Sequence, residues 1–166
     1  PDGLDIDDVL RFTAEPDAHL ALYPHGEAIS NTDLLALDTD VLIPCARETQ
    51  ITRHNARTIR AFMVVEGADG PTTTDADDIL DSKGVVVVPD VLASAGGGIN
   101  TYFDWMQTMQ NLPWTATNRK RQLPRVMFRA LDEIIRTQND LDVTLRTAAH
   151  VVAIKRVGDT VLERGI

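Results

Sequence analysis

Four consecutive valines at positions 85–88, closed by Pro89-Asp90, restrict the fold more than any other feature of this chain. β-branched side chains favour extended backbone, and an unbroken apolar run of this length suits a central strand buried on both faces. A second strand-length run, residues 63–66, lies upstream and ends at Gly67. Between the two, residues 75–81 carry a short helical pattern, with Thr74 placed to cap it, acids in its first turn and Gly84 to end it. The order strand, loop, helix, strand, loop, helix predicts a parallel α/β unit, in which ligands bind where strands end and loops begin. Residues 67–74 and 90–101 are therefore the first places to expect chemistry.

The rest of the chain is read around that unit. Residues 5–14 pattern as a short helix behind a run of aspartates, stopping before Pro16; residues 18–23 read as a brief extended piece, and 32–37 as a helical turn capped by Asn31 or Thr32. Residues 41–44 suit a further buried parallel strand that delivers Cys45, Ala46 and Arg47 into a loop. Apolar residues at Ala56, Ile59 and Phe62 predict a helix over 52–62, opened by Thr52. Residues 93–110 read as one long helix, preceded by or including Gly96, Gly97 and Gly98, where the lack of side chains permits close approach. Two amphipathic helices follow, over 123–135 and 144–164, the second ended by Gly165.

Composition narrows the function classes. With 166 residues and 43% apolar content, one compact globular domain is expected. No apolar run of about 18 residues is present to span a bilayer, and no charged start leads into a hydrophobic segment, so a membrane or secreted protein is not expected and a cytoplasmic one is. The single cysteine, Cys45, excludes an internal disulfide and a multi-cysteine metal cluster. The charge is lopsided, with 19 Asp against 6 Glu, 13 Arg against 3 Lys, and a net charge of −9. Short carboxylates bind water and salt, and lysine stems add apolar surface, so this balance points to a protein working in high salt; the alternative is an ordinary acidic surface. Either way, nucleic acid is not expected as a partner. The opening PDGLD is a turn-forming string that ordinarily joins two elements, which suggests a piece of a larger polypeptide.

Three loops are expected to line one crevice: Cys45-Ala46, the stretch from Gly67 to Gly70, and the stretch from Ser94 to Thr101. A G-x-G-x-x-G phosphate fingerprint is absent, so spacing alone gives only a ligand crevice on an α/β sheet. No histidine is tied by motif to Cys45, so a packing role is expected for it rather than nucleophilic catalysis. His19, His25, His54 and His150 show no metal-ligand spacing, and no metal is expected. Tyr102, Phe103 and Trp105 read as core, and Arg119-Lys120-Arg121 as a solvated face or a subunit salt bridge.

Four segments, DTDVLIPCARETQIT, VVEGADGPTTTDADDIL, GVVVVPDVLASAGGGINTYFDWMQ and LRTAAHVVAIKRV, taken in order and spacing, resemble the C-terminal, coenzyme-binding half of hexameric glutamate dehydrogenases. The resemblance implies an α/β fold with a partial Rossmann-type parallel sheet and C-terminal helices, the α/β part and long helix over 1–112 and a helical segment over 113–166. It implies oxidation of L-glutamate to 2-oxoglutarate and ammonia with NAD or NADP in a homo-oligomer, a hexamer by resemblance. No catalytic residue is implied within this stretch, because the family's catalytic lysine and aspartate belong to the preceding substrate domain; the chain alone is expected to be inactive.

Position by position, the resemblance implies that Cys45 and Ala46 lie on a coenzyme-facing loop. It places Asp69 where the family has an asparagine near the nicotinamide ribose, and Ser94 where another asparagine lies near nicotinamide and substrate. Thr101 replaces a serine that binds the substrate's side-chain carboxylate, and Gly98 replaces a valine shaping the same pocket. All four departures fall in the crevice. An aspartate for an amide removes two donors and adds charge, and serine has the shorter reach. Two readings therefore stay open: a glutamate dehydrogenase portion, or a divergent non-catalytic binding or assembly subunit or paralogue with an altered amino-acid substrate.

Overall fold

The computed structural model describes residues 3–110 and 114–165, so Pro1-Asp2 of the opening string and the boundary expected between residues 112 and 113 lie outside the described residues. The chain divides into two compact units, Pro1–Leu35 and Ala36–Ile166.

The first unit holds α1 (Ile6–Thr13), a single 3-10 turn over Leu20–Leu22, and α2 (Asn31–Leu35). Asp5 caps α1 by accepting the Asp8 N–H at 3.1 Å, so the expected helix is present almost to the residue. The 3-10 turn replaces the extended piece expected at 18–23. The cap of α2 is Ser30, whose Oγ accepts the Asp33 N–H at 3.1 Å, upstream of both expected caps. Tyr23 is the buried anchor of this unit: Phe12 meets it edge-on with ring centroids 5.4 Å apart, and its hydroxyl donates to Asp8 Oδ2 at 2.8 Å.

The second unit is built on a three-stranded parallel sheet in the order β1 (Val41–Leu42), β2 (Met63–Val65), β3 (Val86–Val88). The register pairs Val41 with Met63, and Met63 with Val86 through to Val65 with Val88, which brings the carboxyl ends of all three strands to one edge. The central position belongs to β2, whose Val64 is fully buried, and not to the valine run, which lies half-buried at the side of the sheet. β1 is an edge strand rather than a buried one, with Val41 and Ile43 exposed.

The crossover from β1 to β2 contains no full helix. Asn55 turns its side chain back, accepting the Thr52 N–H at 2.7 Å and donating to Gln50 O at 2.8 Å. The Lys83 ammonium then donates to the carbonyls of Ala56, Arg57 and Ile59 at 3.3, 2.9 and 2.6 Å. Those groups would have carried helical hydrogen bonds, so the predicted helix over 52–62 shrinks to one 3-10 turn, Ala56–Thr58, and Phe62 is exposed. From β2 to β3 the chain runs through α3 (Thr74–Ser82), preceded by Thr73, with Ala76 and Leu80 fully buried; Gly84 follows at φ +74°.

Beyond β3 come α4 (Asp90–Ala93), α5 (Gly96–Gln110), α6 (Ala116–Leu141) and α7 (Leu145–Arg164). The single helix expected over 93–110 is interrupted at Ser94-Ala95, because the Ser94 hydroxyl and its amide both donate to Asp90 O at 2.8 Å and the next three residues are glycines of low helix propensity. α6 outruns its expected span at both ends. α7 begins where expected, with Thr144 Oγ1 accepting the Thr147 N–H at 3.2 Å, and is followed by Gly165 at φ +68°. Leu92, Ile134, Leu145, Ala148, Ala149 and Val152 form the core that fixes α4, α6 and α7 against the valines of β3.

Candidate functional site

Two of the strand ends open onto one cleft. Residues 45–50 beyond β1 and residues 67–69 beyond β2 line an open depression of about 810 Å³. The two loops are laced together by backbone: the Gly67 and Ala68 N–H groups donate to Pro44 O at 3.1 and 2.9 Å, and the Thr49 N–H donates to Gly70 O at 2.9 Å. Ile51 and Thr72 close the lacing as an isolated parallel bridge. Gly67 sits where the loops touch: a Cβ there would lie 2.5 Å from Cys45 Sγ, so any larger residue must displace that side chain. Thr49, a β-branched residue, is held at φ +57°, a strained conformation that persists only where its surroundings over-determine it.

The third loop joins through one contact. Ser94 Oγ lies 3.4 Å from Asp69 Oδ1, while its short bond goes to Asp90 O. A hydroxyl has one proton, so Ser94 serves Asp69 only weakly and the Asp69 carboxylate keeps acceptor capacity for a ligand. Of the residues singled out from sequence, Cys45, Ala46 and Asp69 line the cleft and Ser94 stands at its side. Gly98 and Thr101 lie further along α5, both exposed; Thr101 Oγ1 donates back to Gly97 O at 3.1 Å, and nothing lies within 4 Å of a Cβ built on Gly97 or Gly98.

Behind the cleft lies a charged cluster that the sequence reading did not assemble. Arg146, the second residue of α7, donates from Nη2 to Glu66 Oε1 at 2.8 Å and from Nε to Asp77 Oδ2 at 2.8 Å, and its Nη1 lies 3.5 Å from Asp90 Oδ1. Glu66 is fully buried at the end of β2, and its other oxygen accepts the Asp90 N–H at 2.8 Å. Asp90 in turn accepts the Gly70 N–H at 2.7 Å. Burial opposes the charge of Arg146, but its hydrogen bonds to Asp77 and Glu66 outweigh that and hold the guanidinium above its ordinary protonation range. The available signal was a lone carboxylate, Glu66, ending an apolar strand; such a group needs a cation, and only the fold says which.

A second cavity, about 600 Å³, lies between β2, β3 and α6, but Gln138 is its one polar lining residue. Binding sites need convergent polar groups to orient a ligand, which this cavity lacks and the loop cleft has. Among the described residues no group of three or more His, Cys, Asp or Glu could hold a metal ion.

A coenzyme fits the cleft on its chemistry: carboxyl ends of parallel strands, a carboxylate with free acceptor capacity for ribose hydroxyls, and a glycine face open to close approach. The sequence profile of the Glutamate/Leucine/Phenylalanine/Valine dehydrogenase family matches residues 1–165. The chain is 46% identical over 171 aligned positions to an NADP-specific glutamate dehydrogenase of Synechocystis, covering 98% of this chain and 40% of that protein. It is 43% identical over 167 positions to glutamate dehydrogenase A2 of Halobacterium salinarum, covering 100% of this chain and 40% of that protein. The hetero-hexameric glutamate dehydrogenase of Thermus thermophilus, solved in a Leu-bound form, superposes with a TM-score of 0.87 at 27% identity over 100% of this chain and 39% of that one. The chain thus spans about 40% of the length of the curated relatives it matches.

Proposed function

The chain belongs to the glutamate/leucine/phenylalanine/valine dehydrogenase family, and we propose that it forms the coenzyme-binding portion of a glutamate dehydrogenase acting on L-glutamate and 2-oxoglutarate. Within it, residues 1–112 carry the α/β part with the long helix, and 113–166 the C-terminal helical segment. The coenzyme, NAD or NADP, supplies hydride acceptance when bound; everything else is the work of the chain. Residues 45–50 and 67–69 form the wall against which the coenzyme lies, with Cys45 and Ala46 on one side and Asp69 accepting from its ribose hydroxyls. Ser94 orients the start of the third loop, and Gly98 and Thr101 face the substrate, Thr101 offering its hydroxyl to the substrate's distal carboxylate. The observation that carries this reading is the joining of the 45–50 and 67–70 loops at the carboxyl ends of parallel strands, with Ser94 brought to 3.4 Å from Asp69.

The remaining parts of the proposal follow from composition and relatives. The excess of aspartate over glutamate and of arginine over lysine supports a salt-adapted enzyme, and a relative from Halobacterium salinarum is in keeping with it. A cytoplasmic setting fits the single free cysteine, and a hexameric assembly fits the hexameric solved relative.

The second reading, a non-catalytic assembly subunit or a paralogue with another amino-acid substrate, is favoured by two observations. The resemblance implies departures from the family at Asp69, Ser94, Gly98 and Thr101, and the solved relative is hetero-hexameric with Leu bound. Assay of the full-length gene product separates the two. Glutamate-dependent reduction of NAD or NADP is expected, with the 166-residue stretch alone inactive. Absence of turnover that Asp69→Asn with Ser94→Asn restores would establish the second reading.

A further inference from the structure

We propose that Arg146 is a positioning residue for the cleft, acting through Glu66 and Asp90 to set the 67–70 loop and, through Gly70, the 45–50 loop. The inference rests on reading that cleft as the coenzyme wall. Its basis is an unbroken path of bonds that starts on α7 and ends at the cleft. Arg146 Nη2 donates to Glu66 Oε1 at 2.8 Å, and Glu66 Oε2 accepts the Asp90 N–H at 2.8 Å. Asp90 Oδ2 accepts the Gly70 N–H at 2.7 Å, and Gly70 O accepts the Thr49 N–H at 2.9 Å. The Gly70 peptide is therefore gripped from both sides, at a residue with φ +55° whose free chain would populate other conformations readily.

Both carboxylate oxygens of Glu66 and of Asp90 are engaged. Asp90 Oδ1 accepts the Val91 N–H at 2.7 Å and faces Arg146 Nη1 at 3.5 Å, which leaves Oδ2 alone for Gly70. An asparagine has one acceptor oxygen and could serve Val91 or Gly70, not both. The guanidinium is equally committed, with its planar fork meeting Asp77 through Nε and Nη2 and Glu66 through Nη2. A buried ion cluster is a poor device for stability alone, because apolar residues of similar volume commonly serve as well or better. Here three carboxylates from the end of β2, from α3 and from the first residue of α4 converge on one cation directly behind the cleft, where fixing loop geometry is the use left for them. The strained φ of Thr49 at the far end of the path is the conformation that such over-determination sustains.

The test compares Asp90→Asn and Arg146→Lys with Glu133→Gln, which breaks the exposed Arg156–Glu133 pair instead, all in the full-length gene product. Two readouts are taken: site-resolved amide hydrogen exchange, and separate KM values for coenzyme and amino acid. Asp90→Asn should speed exchange in residues 67–70 by about tenfold, the loss of one charge-assisted hydrogen bond, with β2 unchanged. It should raise the coenzyme KM by a similar factor while the amino-acid KM stays within about twofold. Arg146→Lys keeps the charge but loses the fork, and should show the same pattern more weakly; it also serves if Asp90→Asn does not fold. Glu133→Gln should change neither readout. Uniform acceleration of exchange across the second unit with an unaltered coenzyme KM would overturn the proposal and leave the cluster a structural ion pair. A wild-type protein without dehydrogenase turnover would instead remove the functional reading, while the exchange comparison still decides whether Arg146 holds the loop.

Discussion

Arg146 Nη2 meets Glu66 Oε1 at 2.8 Å across 80 positions of sequence, and Glu66 has no solvent exposure at all. A carboxylate so placed relies on its partner, because the Asp90 N–H on its other oxygen compensates only part of its lost hydration. Arg146→Met strands the Glu66 charge and should cost about 3–5 kcal/mol in urea unfolding. Adding Glu66→Gln to Arg146→Met removes the stranded charge, so the double variant should be more stable than Arg146→Met alone, a non-additivity expected of directly bonded residues.

Gly67 and Cys45 give a steric counterpart. A Cβ at position 67 would lie 2.5 Å from Cys45 Sγ, but 3.6 Å from Cys45 Cβ. Gly67→Ala therefore forces the sulfur to swing or the laced loops to part, at a cost of about 1–3 kcal/mol. Removing the sulfur as well, in Gly67→Ala with Cys45→Ala, leaves only ordinary van der Waals contact and should recover most of the loss. Midpoints of denaturant unfolding for the two single variants and the double variant check this.

What could be read from sequence follows the range of the interactions involved. α1, α3, α7 and the strand at 63–65 declare themselves through neighbours a few residues apart: Asp5 before its helix, Gly84 after its helix, Thr144 and Gly165 bracketing α7. The helix expected over 52–62 failed because its competitor, the Lys83 ammonium on the carbonyls of Ala56, Arg57 and Ile59, arrives from more than twenty residues away. The valine run reads as central because consecutive β-branched residues report burial, whereas strand order is decided by the crossovers. The loop residues of the cleft were legible as strand ends. Arg146, Asp77 and Asp90 were not, since nothing local marks one aspartate among 19 as a partner of one arginine among 13.

Tyr23 supplies a pH prediction within the first unit. Its hydroxyl donates to Asp8 Oδ2, and that bond, with burial and the charge of Asp8 adding to it, raises its pKa above the ordinary 10.0. The folded state then holds the phenolic proton more tightly than the unfolded state. Stability from this bond is complete below pH 10.0 and is lost as pH rises through the higher folded value. In a Tyr102→Phe background, the tyrosinate absorbance of Tyr23 should rise with a midpoint above 10.0, and Asp8→Asn should bring that midpoint down.

Salt sets two opposing effects against each other. The exposed pairs Arg11–Asp8, Arg119–Asp104 and Arg156–Glu133 weaken as the Debye length falls from about 10 Å at 0.1 M to about 3 Å at 1 M, but each such pair contributes little, roughly 0–1 kcal/mol. The same screening relieves the mutual repulsion of a chain with net charge −9, while the buried Arg146–Glu66 contact is screened far less. Repulsion acts among 25 carboxylates and the exposed pairs are few and weak, so relief should win. The urea midpoint should climb with KCl into the molar range. A midpoint that is flat or falls over that range would mean that the exposed pairs matter more than the repulsion, and that the aspartate excess is an ordinary acidic surface rather than an adaptation to salt.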